Sequence, residues 1–193
     1  SMESKVDMQS LKTGRLERRD WDDINIAMDV LSNAKINIDD TAGITIMEMK
    51  SKCRRLKAEE GLDLVVVDYL QLMTPEGRSD SRTQEVSVIS RNLKLLAREL
   101  DCPVIVLSQL SRAPETRTDH RPMLSDLRES GSIEQDADIV IFLYRDEYYN
   151  EDTESPGECE VIVAKHRSGP TGTVKLAWLK KLTRFVDSTG DSM

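Results

Sequence analysis

Leu64-Val-Val-Val-Asp68 is an apolar run closed by an acid. A half-exposed strand alternates apolar with polar residues. A run without alternation suits a strand buried on both faces of a parallel sheet. Downstream, Val86, Ile89, Leu93, Leu96 and Leu100 recur at intervals of three and four. That period predicts a long amphipathic helix, which Cys102-Pro103 ends. Val104-Ile-Val-Leu-Ser-Gln109 is a second buried strand ending in polar groups. Strand, helix, strand at this spacing is a parallel βαβ unit.

Working outward, Ile139-Val-Ile-Phe-Leu-Tyr144 reads as a third buried strand. Glu160-Val-Ile-Val-Ala-Lys165 and Val174 to Leu179 read as an antiparallel hairpin at the sheet edge, with Ser168-Gly-Pro-Thr-Gly172 as its turn. The fold class is therefore α/β, with three parallel core strands followed by a C-terminal hairpin. Thr74 to Thr83 is expected to be a mobile polar loop. Ser111 to Arg121 reads as a second polar loop, and Glu147 to Gly157 as acidic and exposed.

Upstream, Trp21, Ile24, Met28 and Leu31 mark one face of a helix. Lys35-Ile-Asn-Ile38 alternates like an edge strand. Thr45 and Glu48 form a capping-box pattern, with Ile46, Met49, Cys53 and Leu56 on the buried face of the helix and Gly61 as its stop. Residues 1–62 are expected to form a helical and αβ N-terminal part and residues 63–193 the remainder of a single domain.

The 193 residues carry 27 Lys and Arg against 35 Asp and Glu, a net charge of −8. That excludes a globally basic nucleic-acid coat but not a local basic loop on DNA. Aromatics are only 4%, too few for a base-stacking platform. Three scattered cysteines and two histidines make a zinc site unexpected. The apolar runs are strand-sized and the N-terminus has no apolar run, so neither a membrane span nor a signal peptide is expected. A reducing cytoplasm is the expected compartment.

Asp68 ends a buried strand, and in open α/β sheets the ligand crevice lies at that edge. Four apolar residues and an acid is the pattern that holds the Mg²⁺ of a nucleoside triphosphate through its water shell. It equally suits an acid capping a neighbouring helix. Gln109 ends the next strand, where an amide can sense a γ-phosphate or simply be solvated. Lys165 and Arg167 leave a strand and enter the tight Ser168–Gly172 turn; they suit either a finger reaching a phosphate held by another subunit or a pair of surface cations. Leu124 to Asp138 mixes acids, one Arg and a Gly ahead of a buried strand. Arg128 can bind a phosphate and Gly131 lets a backbone N–H approach one, although a capped acidic helix has the same composition. No Gly-x-x-x-x-Gly-Lys-Ser/Thr occurs in the sequence, so no phosphate cradle of that type is present.

Val67-Asp-Tyr-Leu-Gln-Leu-Met73, Ser108-Gln-Leu-Ser-Arg112, the block from Arg121 to Asp138 and Lys165-His-Arg-Ser-Gly-Pro-Thr-Gly172 together closely resemble the C-terminal motor domain of the bacterial replicative DNA helicases of DnaB type. Leu11 to Leu16 and Asp39-Asp-Thr41 fit the same family. The resemblance implies a RecA-like fold in a hexameric ring, with ATP and Mg²⁺ between subunits and single-stranded DNA in the channel. It implies ATP-driven 5′→3′ translocation and duplex unwinding, with a primase and a helicase loader as partners. By position, Asp68 matches the Walker B acid, Gln109 the γ-phosphate-linked glutamine, and Lys165 and Arg167 the finger. Arg128, Glu129 and Gly131 match the DNA-holding channel loop.

Lys165-His-Arg-Ser-Gly departs at two positions from the family's Lys-Gln-Arg-Asn-Gly but keeps both cations. The family's P-loop and catalytic Glu have no counterpart here, so the chain is expected to have no ATPase of its own and no tightly bound nucleotide. An apolar edge on Leu64 to Val67 would then favour self-association. Two other readings stay open: a catalytically dead RecA-like partner module, and a RecA- or KaiC-like ATPase with another task.

Overall fold

The structure is a computed structural model that describes residues 1–75, 81–127 and 131–188. The chain divides into two compact units, Asp40–Phe142 with Val163–Gly172, and Ser1–Asp39 with Leu143–Ile162 and Thr173–Met193.

The first of these units is built on the βαβ element. β1 (Val65–Val67) and β2 (Val104–Val106) pair in parallel, with Val65 opposite Val104 and Val67 opposite Val106. Between them runs α4 (Arg82–Leu100), preceded in the chain by α3 (Ile46–Glu59). Each helix begins where its sequence supplies a cap. Thr45 Oγ1 accepts from Glu48 N–H at 3.2 Å, and Glu48 returns the bond to Thr45 N–H at 2.9 Å. Ser81 Oγ accepts from Gln84 N–H at 3.3 Å. Gly61, at φ 86°, takes the left-handed conformation just past α3.

Val86, Ile89, Leu93, Leu96 and Leu100 of α4 are all buried. They form one core with Ile46, Met49, Val65, Leu70, Met73 and Cys102. Cys53, on the expected face of α3, packs against that core from its margin. The opposite face of the βαβ element is open, so β1 and β2, expected from their unbroken apolar runs to be buried strands, are covered on one face only. Leu64, Val66, Ile105 and Leu107 are all 46–58% exposed, and Val66 and Ile105 are in register, hence on the same face.

The remaining strands form a second sheet in the order β3 (Ile139–Tyr144), β4 (Glu158–His166), β5 (Gly172–Leu179), β6 (Arg184–Asp187). β5 and β6 are antiparallel. Two sequence expectations change here. β3 pairs with β4 and not with the β1–β2 pair; among the described residues, β2 and β3 each stand at the edge of a sheet. β3 also alternates, with Val140, Phe142 and Tyr144 buried and Ile139, Ile141 and Leu143 exposed. An unbroken apolar run is thus a strand covered on one face here. β6 was not expected, because four residues after a turn carry too little alternation to register.

In the second unit, α1 (Met8–Thr13) is capped by the Asp7 carboxylate, which accepts from Gln9 and Ser10 N–H. α2 (Arg18–Ser32) forms where its periodicity places it, but Trp21, Met28 and Leu31 are each more than half exposed and only Ala27 is buried. Lys35 to Ile38 forms no strand; Ile36 and Ile38 are exposed, with no ladder partner among the described residues. No helix among the described residues is long and apolar enough to cross a membrane.

Candidate nucleotide-site edge and its flanking cations

Parallel pairing of β1 with β2 carries the C-terminal ends of both strands to the same edge. Asp68 follows β1 directly and Gln109 stands three residues beyond β2. Both side chains are exposed. The two turns are stitched together. Leu70 N–H donates to Leu107 O at 2.9 Å. Gln71 Nε2 donates to Ser108 Oγ at 3.0 Å, and Gln109 N–H donates to Gln71 Oε1 at 3.2 Å. Gln71 therefore fixes the backbone of Gln109 relative to the turn that follows Asp68. Sequence reasoning gave Gln71 no role. Its only signal was its place in the Val67–Met73 run, where a polar residue interrupts apolar ones.

Beyond Gln109 the chain is pinned to the segment leading to residue 128. Ser111 N–H donates to Asp126 O at 2.8 Å, and Leu110 bridges Leu127. Asp126 is 1% exposed. Its carboxylate pairs with Arg117 and accepts from Met123 N–H at 2.8 Å. Burial pushes this carboxyl up, but Arg117 and the Met123 N–H outweigh it, so the group sits below the usual carboxylate range. Arg117 also donates to Arg121 O at 2.6 Å. The Ser111–Arg121 segment, expected as a plain loop, is thus a tied turn containing α5 (Ala113–Thr116).

Arg128 and Glu129 lie outside the described residues. Gly131 opens α6 (Gly131–Asp136), and a Cβ there would meet nothing within 4 Å. Ser132 Oγ accepts from Ser87 Oγ of α4 at 2.8 Å. The two candidate cations then meet the far end of this helix. Lys165 Nζ donates to Glu134 O, and to Gln135 O at 3.3 Å. Those are last-turn carbonyls without intrahelical partners, which a cation satisfies well. Arg167 N–H donates to Asp138 O at 2.8 Å. Its guanidinium stands 3.5 Å from Asp138 Oδ1, with both side chains 50% exposed. Asp138 Oδ2 is held by Lys94 of α4. The structure therefore separates the two cations: Lys165 is engaged in the fold, and Arg167 is loosely held. The Ser168–Gly172 turn that Arg167 enters is tight as read, since a Cβ on Gly169 would run into the His166 ring.

Among the described residues, no group of three His, Cys, Asp or Glu side chains stands close enough to hold a metal. A single exposed carboxylate, Asp68, fits a divalent ion that arrives on a nucleotide and keeps its waters; it does not fit a resident metal.

Residues 1–187 match the family model for the DnaB-like helicase C terminal domain. The chain is 58% identical over 186 residues to the replicative DNA helicase DnaB of Geobacillus stearothermophilus, covering 96% of this chain and 41% of that protein. It is equally 58% identical to the replicative DNA helicase DnaC of Bacillus subtilis (strain 168) over 186 residues, again 41% of that protein. Among solved structures, one of an isolated ATPase domain superposes with a TM-score of 0.93 at 50% identity, covering 97% of this chain and 67% of that one. A DnaB-like replicative helicase, solved in a study of its interactions with primase, gives the same TM-score and identity over 46% of its chain. The chain spans about two fifths of the length of the curated relatives it matches. With a RecA-like arrangement of elements and nearly its whole length matched, this chain belongs to the DnaB-like helicase C-terminal domain family.

Proposed function

We propose that the chain is the larger part of the motor of a hexameric replicative helicase, which couples ATP hydrolysis to 5′→3′ movement on single-stranded DNA. The observation that carries this is the shared edge of Asp68 and Gln109, at adjacent parallel strand ends and locked together by Gln71. In this reading Asp68 holds Mg²⁺ through water and Gln109 faces the γ-phosphate. Arg167 reaches the ATP of the adjoining subunit, with Lys165 bracing the strand end it leaves from by its hold on the end of α6. Arg128, Glu129 and Gly131 contact the DNA backbone without reading bases, as movement along any sequence requires. Primase and a loader are the partners, the former supported by the similarity to a helicase studied with primase. The compartment is the cytoplasm.

Mg²⁺ supplies charge neutralisation of the phosphates when bound. The chain's own residues orient and sense. With no Walker-type glycine loop in its sequence, the chain by itself is proposed to be inactive as an ATPase. The same observation favours a second reading, a non-enzymatic module that supplies Arg167 in trans.

A fluorescent ATP analogue with Mg²⁺ tests both. No saturable binding to the 193-residue chain is expected, together with unwinding of a forked duplex by the full-length protein. Tight binding to the chain would overturn the assignments at Asp68 and Gln109. Loss of unwinding with intact ATPase would favour a RecA- or KaiC-like task. Net charge −8 further predicts weak DNA affinity of the chain alone, because few phosphates can be neutralised.

The open face carrying Leu64, Val66, Ile105 and Leu107 is proposed to drive self-association of the chain. Light scattering at rising concentration should show mass growth beyond 21.9 kDa. A monodisperse monomer at high concentration would contradict it.

A further inference from the structure

Arg167 and Lys94 share one carboxylate, and the sharing is asymmetric. Lys94 holds Asp138 Oδ2 with its side chain only 22% exposed, whereas Arg167 stands at 3.5 Å from Oδ1, half exposed. An exposed pair at that separation is weak. When Arg167 departs, Asp138 keeps Lys94, so no charge is left unpaired. Lys165 has no such freedom, because leaving would strip the partner from the end of α6. The backbone of Arg167 stays anchored through its N–H to Asp138 O, so only the side chain has to move.

From this geometry we infer that Asp138 is a positioning residue, which holds the Arg167 guanidinium back in the resting chain and passes to Lys94 alone when Arg167 reaches out. The inference rests on Arg167 acting on a neighbouring subunit's phosphate. Asp138 is held below the usual carboxylate range chiefly by its hydrogen bond to Lys94, against the opposing effect of burial, with smaller attractions from Lys94, Arg167 and Arg98. It therefore stays charged and able to exchange partners at neutral pH. Because Asp138 follows α6, which in turn follows residues 128–130, the exchange takes place at the segment leaving the candidate DNA loop.

Two readouts test this. In the full-length protein, Asp138→Asn releases Arg167, and the KM for ATP is expected to fall about 1.5–5-fold with kcat changed less than about twofold. Lys94→Met leaves Arg167 as the carboxylate's cation and is expected to raise KM by a similar factor. In the 193-residue chain, ¹⁵N relaxation of the Arg167 Nε–H is expected to show greater side-chain motion in Asp138→Asn and less in Lys94→Met. Unchanged Nε–H motion in both variants would overturn the positioning role, whatever the kinetics. If the Nε–H responds as expected but Arg167→Ala keeps full kcat, the pairing stands and the trans-acting role of Arg167 fails. If Arg167→Ala abolishes turnover while neither Asp138→Asn nor Lys94→Met moves KM, the trans-acting role stands and the hold on it is refuted.

Discussion

On the proposed trans role, Arg167→Ala in the full-length protein is expected to slow ATP hydrolysis roughly 10³–10⁵-fold, the usual worth of an arginine that stabilises charge on a transferring phosphoryl group. Arg167 can leave its place at small cost, since it is half exposed and its carboxylate is shared. Complementation separates a role in trans from a role in the protomer's own site. Asp68→Asn spoils a protomer's own site and leaves its Arg167 intact. Arg167→Ala does the reverse. Mixed rings of two individually dead proteins therefore contain some interfaces with both groups intact, and part of the ATPase should return. No recovery on mixing, with rings formed, would sink the trans assignment. Lys165→Ala should behave differently despite lying two residues away. It removes the donor to Glu134 O and Gln135 O, so its first effect is a loss of about 1–2 kcal/mol of stability, with a smaller effect on basal turnover.

That contrast marks how far sequence alone could go. Strand, helix and strand from Leu64 to Gln109 were legible because a period of 3.6 and an unbroken apolar run are local signals. Five of the six buried residues of α4, all but Ser90, follow from their spacing. The placement of Asp68 and Gln109 on one edge followed from parallel pairing alone. The pairing of β3 was not legible, since an apolar run does not say which strand lies beside it, nor, as β1, β2 and β3 all show, that both faces are covered. Periodicity likewise found α2 but not its packing: the Trp21–Leu31 stripe is mostly exposed. The division of labour between Lys165 and Arg167 was beyond sequence. It depends on where α6 ends relative to β4, a tertiary fact, and on Lys94, whose position 44 residues before Asp138 carries no local signal. Asp126 was hidden in the same way. It stood among several acids in one block, and only burial distinguishes it from the others.

Asp126→Ala is expected to cost the chain roughly 2–3 kcal/mol, a large share of the stability of an ordinary domain. Its carboxylate is 1% exposed, pairs with Arg117 and accepts from Met123 N–H. Removing it strands a partly buried guanidinium and an N–H donor. The figure lies below that of a fully buried ion pair because the Arg117 side chain is 24% exposed. The pH dependence gives this a sign. The Asp126 pKa is lower in the folded chain than in the unfolded one, so folding favours the ionised form. Its contribution is fully present above the unfolded value, near pH 4, and is lost as pH falls through the folded value. Denaturant unfolding of the two proteins should therefore show the full gap at pH 7 and a narrower one near pH 3. Asp126→Asn keeps an acceptor for Met123 N–H, loses only the charge, and should lie between them at pH 7. A gap of equal size at both pH values would mean that the site contributes by shape alone. Because Asp126 O also accepts from Ser111 N–H, two residues past Gln109, loss of this buried pair should also loosen the tie between the β2 end and the segment that leads to residue 128. Amide hydrogen exchange at Ser111 and Leu127 should rise in Asp126→Ala, while exchange in the middle of α4 follows only the global loss of stability.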